Sequence, residues 1–289
     1  VGFTLDDFDA ISREVPVLAD LRPSGRFLME DFYYAGGLQA FLAELARIPG
    51  ALHPDRPSAA GGTVGEHWSG ATVHRPEVIR PVTEPFSADG GIAVLRGNLC
   101  PDGAVIKYIA SQKPSLLKHT GPAVVFDSYA ELRAGIDDPV HAVTAETVLV
   151  LRGAGPIGGP GMPEYGMLPI PKYLLEAGVT DLVRISDARM SGTSYGTCVL
   201  HLAPESHVGG PLALVRTGDL ITLDVAARAL TLEVAHEELE RRRAAWQPPR
   251  PPFERGYGAL YQSRVTQADQ GCDFDFLARA GHNPLPDPH

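Results

Sequence analysis

The chain has 289 residues, 44% hydrophobic and 21% charged, with a formal net charge of −10. That composition supports a sizeable core and excludes global disorder, and the sign is wrong for a protein that holds nucleic acid through its phosphates. No apolar run reaches the roughly 18–20 residues of a membrane span, and the first residues lack the basic flank and apolar stretch of a signal peptide.

From the N-terminus, residues 1–50 read as mostly helical. Val1 stands where a Met would open a chain, which fits a processed start or, more sharply, a start inside a longer protein. Leu38, Phe41, Leu42 and Leu45 share one helical face, and such a segment needs a partner surface. Residues 51–89 have the Pro, Gly, His and Ser content of a linker. From 90 onward, short runs rich in Val, Ile, Leu and Thr alternate with Gly, Pro and Asp turns. They predict strands at 92–95, 104–109, 123–126, 147–151, 182–185, 197–202, 220–225 and 229–234. Helices are expected at 128–134, 169–177 and 236–246. The last carries Arg241-Arg242-Arg243 behind the acidic Glu237, Glu238 and Glu240, a solvated face and not a nucleic-acid patch. Prolines at 248, 249, 251 and 252 end it, and 248–289 reads as an arm and tail. The expected fold is mixed α/β and β-rich: a barrel-like sheet over 90–247 with helices around it.

Cys100, Cys198 and Cys272 are far apart, with no C-x-x-C spacing. This argues against a secreted disulfide framework and for a reducing cytoplasm. Three glycine-dense polar segments, 95–107, 152–166 and 184–193, each adjoin a predicted strand. Glycine lets backbone N–H groups approach an anion, and strand ends collect sites. One such turn is ordinary; three with charged and hydroxyl residues favour a site. Glu164 lies among Gly and Pro, where a rigid carboxylate suits Mg²⁺. A loop Glu is otherwise usually solvated. Ser191, beside Arg189 and Thr193, is either a turn former or a base whose pKa a metal lowers. The surroundings are not a Gly-x-Ser-x-Gly elbow, which disfavours a hydrolase.

The runs Leu95-Arg-Gly-Asn-Leu, Pro101-Asp-Gly-Ala-Val-Ile-Lys, Gly159-Pro-Gly-Met-Pro-Glu, Asp187-Ala-Arg-Met-Ser-Gly-Thr, Ala203-Pro-Glu and Gly209-Gly-Pro-Leu-Ala-Leu-Val, in this order, resemble the C-terminal signature blocks of the IlvD/Edd dehydratases, with similarity from about Phe27 to Leu277. The resemblance implies a C-terminal swivelling domain preceded by the helical end of an α/β N-terminal domain. It also implies dehydration of a 2,3-dihydroxy acid to a 2-keto-3-deoxy acid. It assigns Glu164 to Mg²⁺, Ser191 to removal of the C2 proton, and Thr193, Arg189 and the C-terminal His289 to the substrate pocket. An iron–sulfur cluster, in the [2Fe-2S] form, would be held by cysteines of an N-terminal half that this chain lacks, with no cluster ligand here. The expected partners are a small sugar acid or dihydroxy acid, the missing half, and further copies in a dimer or tetramer, with no nucleic acid or membrane.

Ser186-Asp-Ala-Arg-Met-Ser-Gly departs from the Thr-Asp-Gly-Arg-Phe-Ser-Gly usual in branched-chain dihydroxy-acid dehydratases. It looks more like the pentonate dehydratases that act on arabinonate or xylonate. Leu28-Met-Glu-Asp-Phe-Tyr-Tyr-Ala-Gly-Gly and Gly271-Cys-Asp-Phe-Asp-Phe-Leu lean the same way. The alternatives are a dihydroxy-acid dehydratase and a non-catalytic binding module on the same scaffold.

Overall fold

The computed structural model describes residues 2–192 and 194–277. Its centre is one mixed sheet of eight strands: β1 (Ala93–Leu95), β2 (Gly103–Ile106), β3 (Lys118–Phe126), β4 (Val148–Leu151), β5 (Val183–Ser186), β6 (Cys198–Ala203), β7 (Leu220–Asp224) and β8 (Ala229–Leu232). All eight coincide with apolar runs legible in the sequence. The spatial order is β1-β2-β6-β5-β4-β3-β7-β8. The four central strands, β6 to β3, run parallel, and antiparallel pairs flank them on both sides.

The sheet curls until its edges meet. Arg96, just past β1, bridges in parallel to Ala229. Its N–H donates to Arg228 O and its carbonyl accepts from Leu230 N, both at 2.9 Å. Asn98 extends the seam: its side-chain amide donates to Leu232 O at 2.9 Å and accepts from Leu232 N at 2.8 Å. This closure satisfies edge groups that would otherwise invite pairing with another chain. Glycine is required between those two residues. A Cβ on Gly97, whose φ is +153°, would stand 2.0 Å from Leu230 O.

Side-chain alternation sorts two cores. Ala123, Val148, Val150, Val183, Ile185 and Val199 point into the barrel. Val124, Phe126, Leu149 and Leu151 point outward and are covered by α4 (Tyr129–Gly135) and α5 (Lys172–Glu176). Each fully buried Leu, Ile, Val or Phe contributes about 1.5–3 kcal/mol by leaving water.

The N-terminal segment is less helical than its composition predicts. α1 (Leu5–Glu14) opens with a Thr4/Asp7 capping box, and α2 (Met29–Tyr34) and α3 (Gly37–Leu45) follow. Between α1 and α2 the chain is extended. Pro16 and Pro23 interrupt it, and Val17 and Ala19 bridge to Ser87 and Ile79. Ala35 and Ala40 bury against Val78 and Ile79, with Phe32 and Phe41 packed alongside, while Leu38 is 62% exposed. Asp9 of α1 accepts from Val94 N and from Arg228, each at 3.0 Å, which ties this segment to the barrel seam.

Past the barrel come α6 (His236–Ala245) and α7 (Gly256–Arg264). α7 lies where the sequence reads as tail, because it has few apolar positions. It is held by polar contact instead: the buried Gln262 donates to Ile157 O at 3.1 Å. No helix among the described residues is long and apolar enough to cross a membrane.

Candidate active site

Because β3, β4, β5 and β6 are parallel, their C-terminal ends share one edge, the usual place for ligands in such sheets. β2 is antiparallel to β6, with Gly103 opposite Ala203, so the β1–β2 turn over 96–102 lies at this edge too. The three glycine-dense segments therefore meet there.

Buried carboxylates fasten the loops to one another. Asp187, directly after β5 and fully buried, accepts from Ala154 N at 2.9 Å, from Ser206 N at 2.9 Å and from Ser206 Oγ at 2.5 Å. Ser206 Oγ in turn accepts from Gly153 N at 2.8 Å. One carboxylate thus joins the loops after β4, β5 and β6. Glu205, also fully buried, accepts from Ile157 N, from Gly158 N and from the Gln267 side chain at 2.8 Å. Burial outweighs those donors and pushes its carboxyl above the ordinary range.

The loop carrying Ser191 leaves the edge and folds back along the outer side of β6. At its far end, the buried Arg184 and Asp181 pair at 3.0 Å. Arg184 also donates to Tyr195 O and Leu168 O, and Asp181 accepts from Thr197 N and Gln112 N. A buried ion pair is tolerable only when its remaining groups are satisfied in this way. Gly196 is forced here: at φ +85°, its Cβ would stand 1.9 Å from the Arg184 guanidinium. Lys107 Nζ donates to Gly192 O at 3.3 Å, and partial burial pulls its ammonium below the usual lysine range. His201 N donates to Ala188 O, and His201 Nε2 accepts from Met190 N at 3.1 Å.

Against this frame, Glu164 and Arg189 form an ion pair of 3.1 Å with both side chains about half exposed. Next to Glu164, Tyr165 stacks on Tyr129 with ring centroids 4.1 Å apart. Ser191, two residues beyond Arg189, is half-buried, and its carbonyl accepts from Ser194 N. Glu164, Arg189 and the Ser191 segment are therefore brought together. Thr193 and His289 lie outside the described residues.

Glu164 suits a single ligand of a shared Mg²⁺ site: it is half exposed on a braced loop with a surface arginine as its ion-pair partner. No group of three or more His, Cys, Asp or Glu able to hold a metal occurs among the described residues. The cysteines do not fit an iron–sulfur cluster. Cys100 and Cys198 are buried in the sheet core, and burial pushes the Cys100 thiol up to about 12 and raises that of Cys198, away from the thiolate a metal needs. Cys272 is partly buried against Met162, with its thiol also raised.

An eight-stranded, nearly closed α/β barrel with a serine, a carboxylate and an arginine on adjoining loops is the scaffold of a ligand-binding or catalytic domain. The family profile for the dihydroxy-acid/6-phosphogluconate dehydratase C-terminal domain matches residues 77–272, and that for the N-terminal domain matches 1–67; the chain belongs to this dehydratase family. It is 53% identical over 292 residues to 6-deoxy-6-sulfo-D-gluconate dehydratase of Pseudomonas putida, covering 100% of this chain and 50% of that protein. It is 48% identical over 283 residues to L-arabonate dehydratase of Azospirillum brasilense, covering 96% and 48%. With dihydroxy-acid dehydratase of Carboxydothermus hydrogenoformans the identity is 42% over 275 residues, covering 95% and 49%. The chain spans about half the length of the curated relatives it matches.

Proposed function

We propose that this chain is the proton-abstracting half of a cytoplasmic hydro-lyase that converts a sugar acid to its 2-keto-3-deoxy acid. Ser191 Oγ, as its alkoxide, takes the C2 proton. The C3–O bond breaks with loss of hydroxide, and the resulting enol tautomerises to the 2-keto acid. Mg²⁺ and a [2Fe-2S] cluster, when bound, supply the Lewis acidity that makes the C2 proton removable and the C3 oxygen a leaving group. Glu164 donates one carboxylate to Mg²⁺; the other metal ligands and the cluster cysteines belong to an N-terminal half. Arg189 orients the substrate carboxylate, and Thr193 and His289 complete the pocket. The working particle is a homo-oligomer of full-length chains.

The observation that carries this reading is the 3.1 Å Arg189–Glu164 pair, which couples the carboxylate loop to the loop of Ser191. Higher identity to sugar-acid dehydratases than to the dihydroxy-acid enzyme supports an aldonate over a branched-chain substrate. The test is Ser191→Ala in a full-length protein assayed on arabinonate, xylonate and a branched-chain dihydroxy acid, with the 289-residue chain alone as an inactive control. Losing a general base costs roughly 10²–10⁴-fold in rate. A loss under about tenfold, or turnover by the chain alone, overturns the assignment.

A further inference from the structure

Strict alternation along β6 would turn His201 into the apolar barrel, because Val199, two residues earlier, faces the interior. The structure avoids this with a bulge. Val105 of β2 is opposite Leu200, yet Gly103 is opposite Ala203, so three steps on β6 face two on β2. The extra residue lets Leu202 join the interior core and turns His201 outward, with a backbone φ of +58°. A left-handed conformation costs a non-glycine residue about 1–2 kcal/mol and persists only where surrounding structure enforces it. Bulges of this kind re-aim a side chain.

The re-aimed imidazole meets the loop of Ser191. His201 grips it twice: its own N–H bonds Ala188 O at 3.0 Å, and its Nε2 accepts the N–H of Met190, the residue before Ser191, at 3.1 Å. An imidazole accepting at Nε2 carries its proton on Nδ1. His201 lines one cavity with Met190, Val105, Leu5, Ala268 and Asp269. Burial, with Arg189 adding to it, lowers the imidazole's proton affinity and keeps it in the accepting form.

We infer that His201 is a positioning residue for the reaction: its Nε2 fixes the Met190 peptide and thereby the placement of the Ser191 hydroxyl. The inference rests on the proposed role of Ser191. It predicts a defect in the chemical step, with substrate binding spared, that an acceptor of similar reach repairs.

In the full-length protein, His201→Leu removes the acceptor at similar volume, and His201→Gln places a carbonyl oxygen near the position of Nε2. Both keep a non-glycine residue at the bulge. A misplacement of about 1 Å costs on the order of 100-fold. The expected result is therefore a kcat for His201→Leu lower by about 10–100-fold, KM within about threefold, and most of the kcat regained in His201→Gln. Hydrogen exchange supplies a reading independent of turnover: the Met190 amide is protected in the wild type and in His201→Gln, and exposed in His201→Leu. Wild-type kcat in His201→Leu, equal defects in the two variants, or an unprotected Met190 amide in the wild type each overturns the inference. If His201→Leu does not fold, wild-type Met190 protection and the His201→Gln kcat decide it. Wild-type protein that turns over no dihydroxy acid would strike the proposed function, while the exchange data still judge the contact.

Discussion

Replacing Asp187 by Asn tests whether one buried carboxylate holds the site together. The wild-type oxygens meet three donors: Ala154 N, Ser206 N and Ser206 Oγ. An amide keeps one oxygen and substitutes an NH₂ for the other. The cheaper orientation keeps the oxygen on Ser206, so the NH₂ faces the Ala154 N–H. Two donors then oppose each other in a site without solvent access. Leaving a buried polar group unpaired costs about 1–3 kcal/mol, so the substitution is expected to destabilise the chain by about 2–5 kcal/mol, with local relaxation at the lower end. Asp187→Ala, which orphans all three donors, should cost at least as much despite its smaller side chain. Urea unfolding of the 289-residue chain gives the value, and hydrogen exchange at Gly153, Ala154 and Ser206 shows where the loss occurs. A change under about 1 kcal/mol with those amides still protected would refute the account of Asp187 as the joint between the loops.

Gly97→Ala should lower stability by about 2–6 kcal/mol, since overpacking and backbone strain each cost about 1–3 kcal/mol and the new methyl would overlap Leu230 O at the barrel seam; thermal melting measures it, and an unchanged melting temperature would show that the seam opens freely. The pH dependence of stability should carry a contribution from His201. Its folded-state proton affinity is lowered by burial and by Arg189, so that contribution is fully present above the ordinary imidazole value of about 6.5. It is lost as pH falls from there through the lower folded pKa. The urea midpoint of the wild type relative to that of His201→Gln, followed from pH 8 downward, should therefore fall below about pH 6.5; a difference independent of pH would mean that the imidazole's protonation is not linked to folding.

The eight strands were legible because each is a short run of branched apolar residues bounded by glycine, proline or aspartate. Only β3 extends well beyond its expected run. Its first residues, Lys118, His119, Thr120 and Gly121, pair with β7 alone and carry no apolar signature. The extended stretch before α2 and the helix α7 escaped for the same reason: tertiary partners form them, not periodicity. At the candidate site, glycine density marked the loops that gather at one edge of the sheet, and the family resemblance singled out Glu164 and Ser191. The residues that brace those loops were not legible. Asp187 and Glu205 owe their importance to donors 19 to 62 positions away, and in sequence each is an ordinary loop carboxylate. His201 was hidden by the bulge itself, because a two-residue repeat assigns it to the wrong side of the sheet.

The seam between β1 and β8 bears on how the chain folds. Asn98 and Leu232 are 134 positions apart, and the Asp9–Arg228 contact beside them spans 219. The helix–strand units between them can form from nearer neighbours, but the circle cannot close until the last strand is in place. Contacts of such long separation cost loop entropy before they return any binding energy, and slow folding follows. During synthesis the β1 edge waits unpaired until residues beyond 230 leave the ribosome. Premature truncation ahead of β8 would leave two open edges, so such products are the ones most prone to pair with other chains.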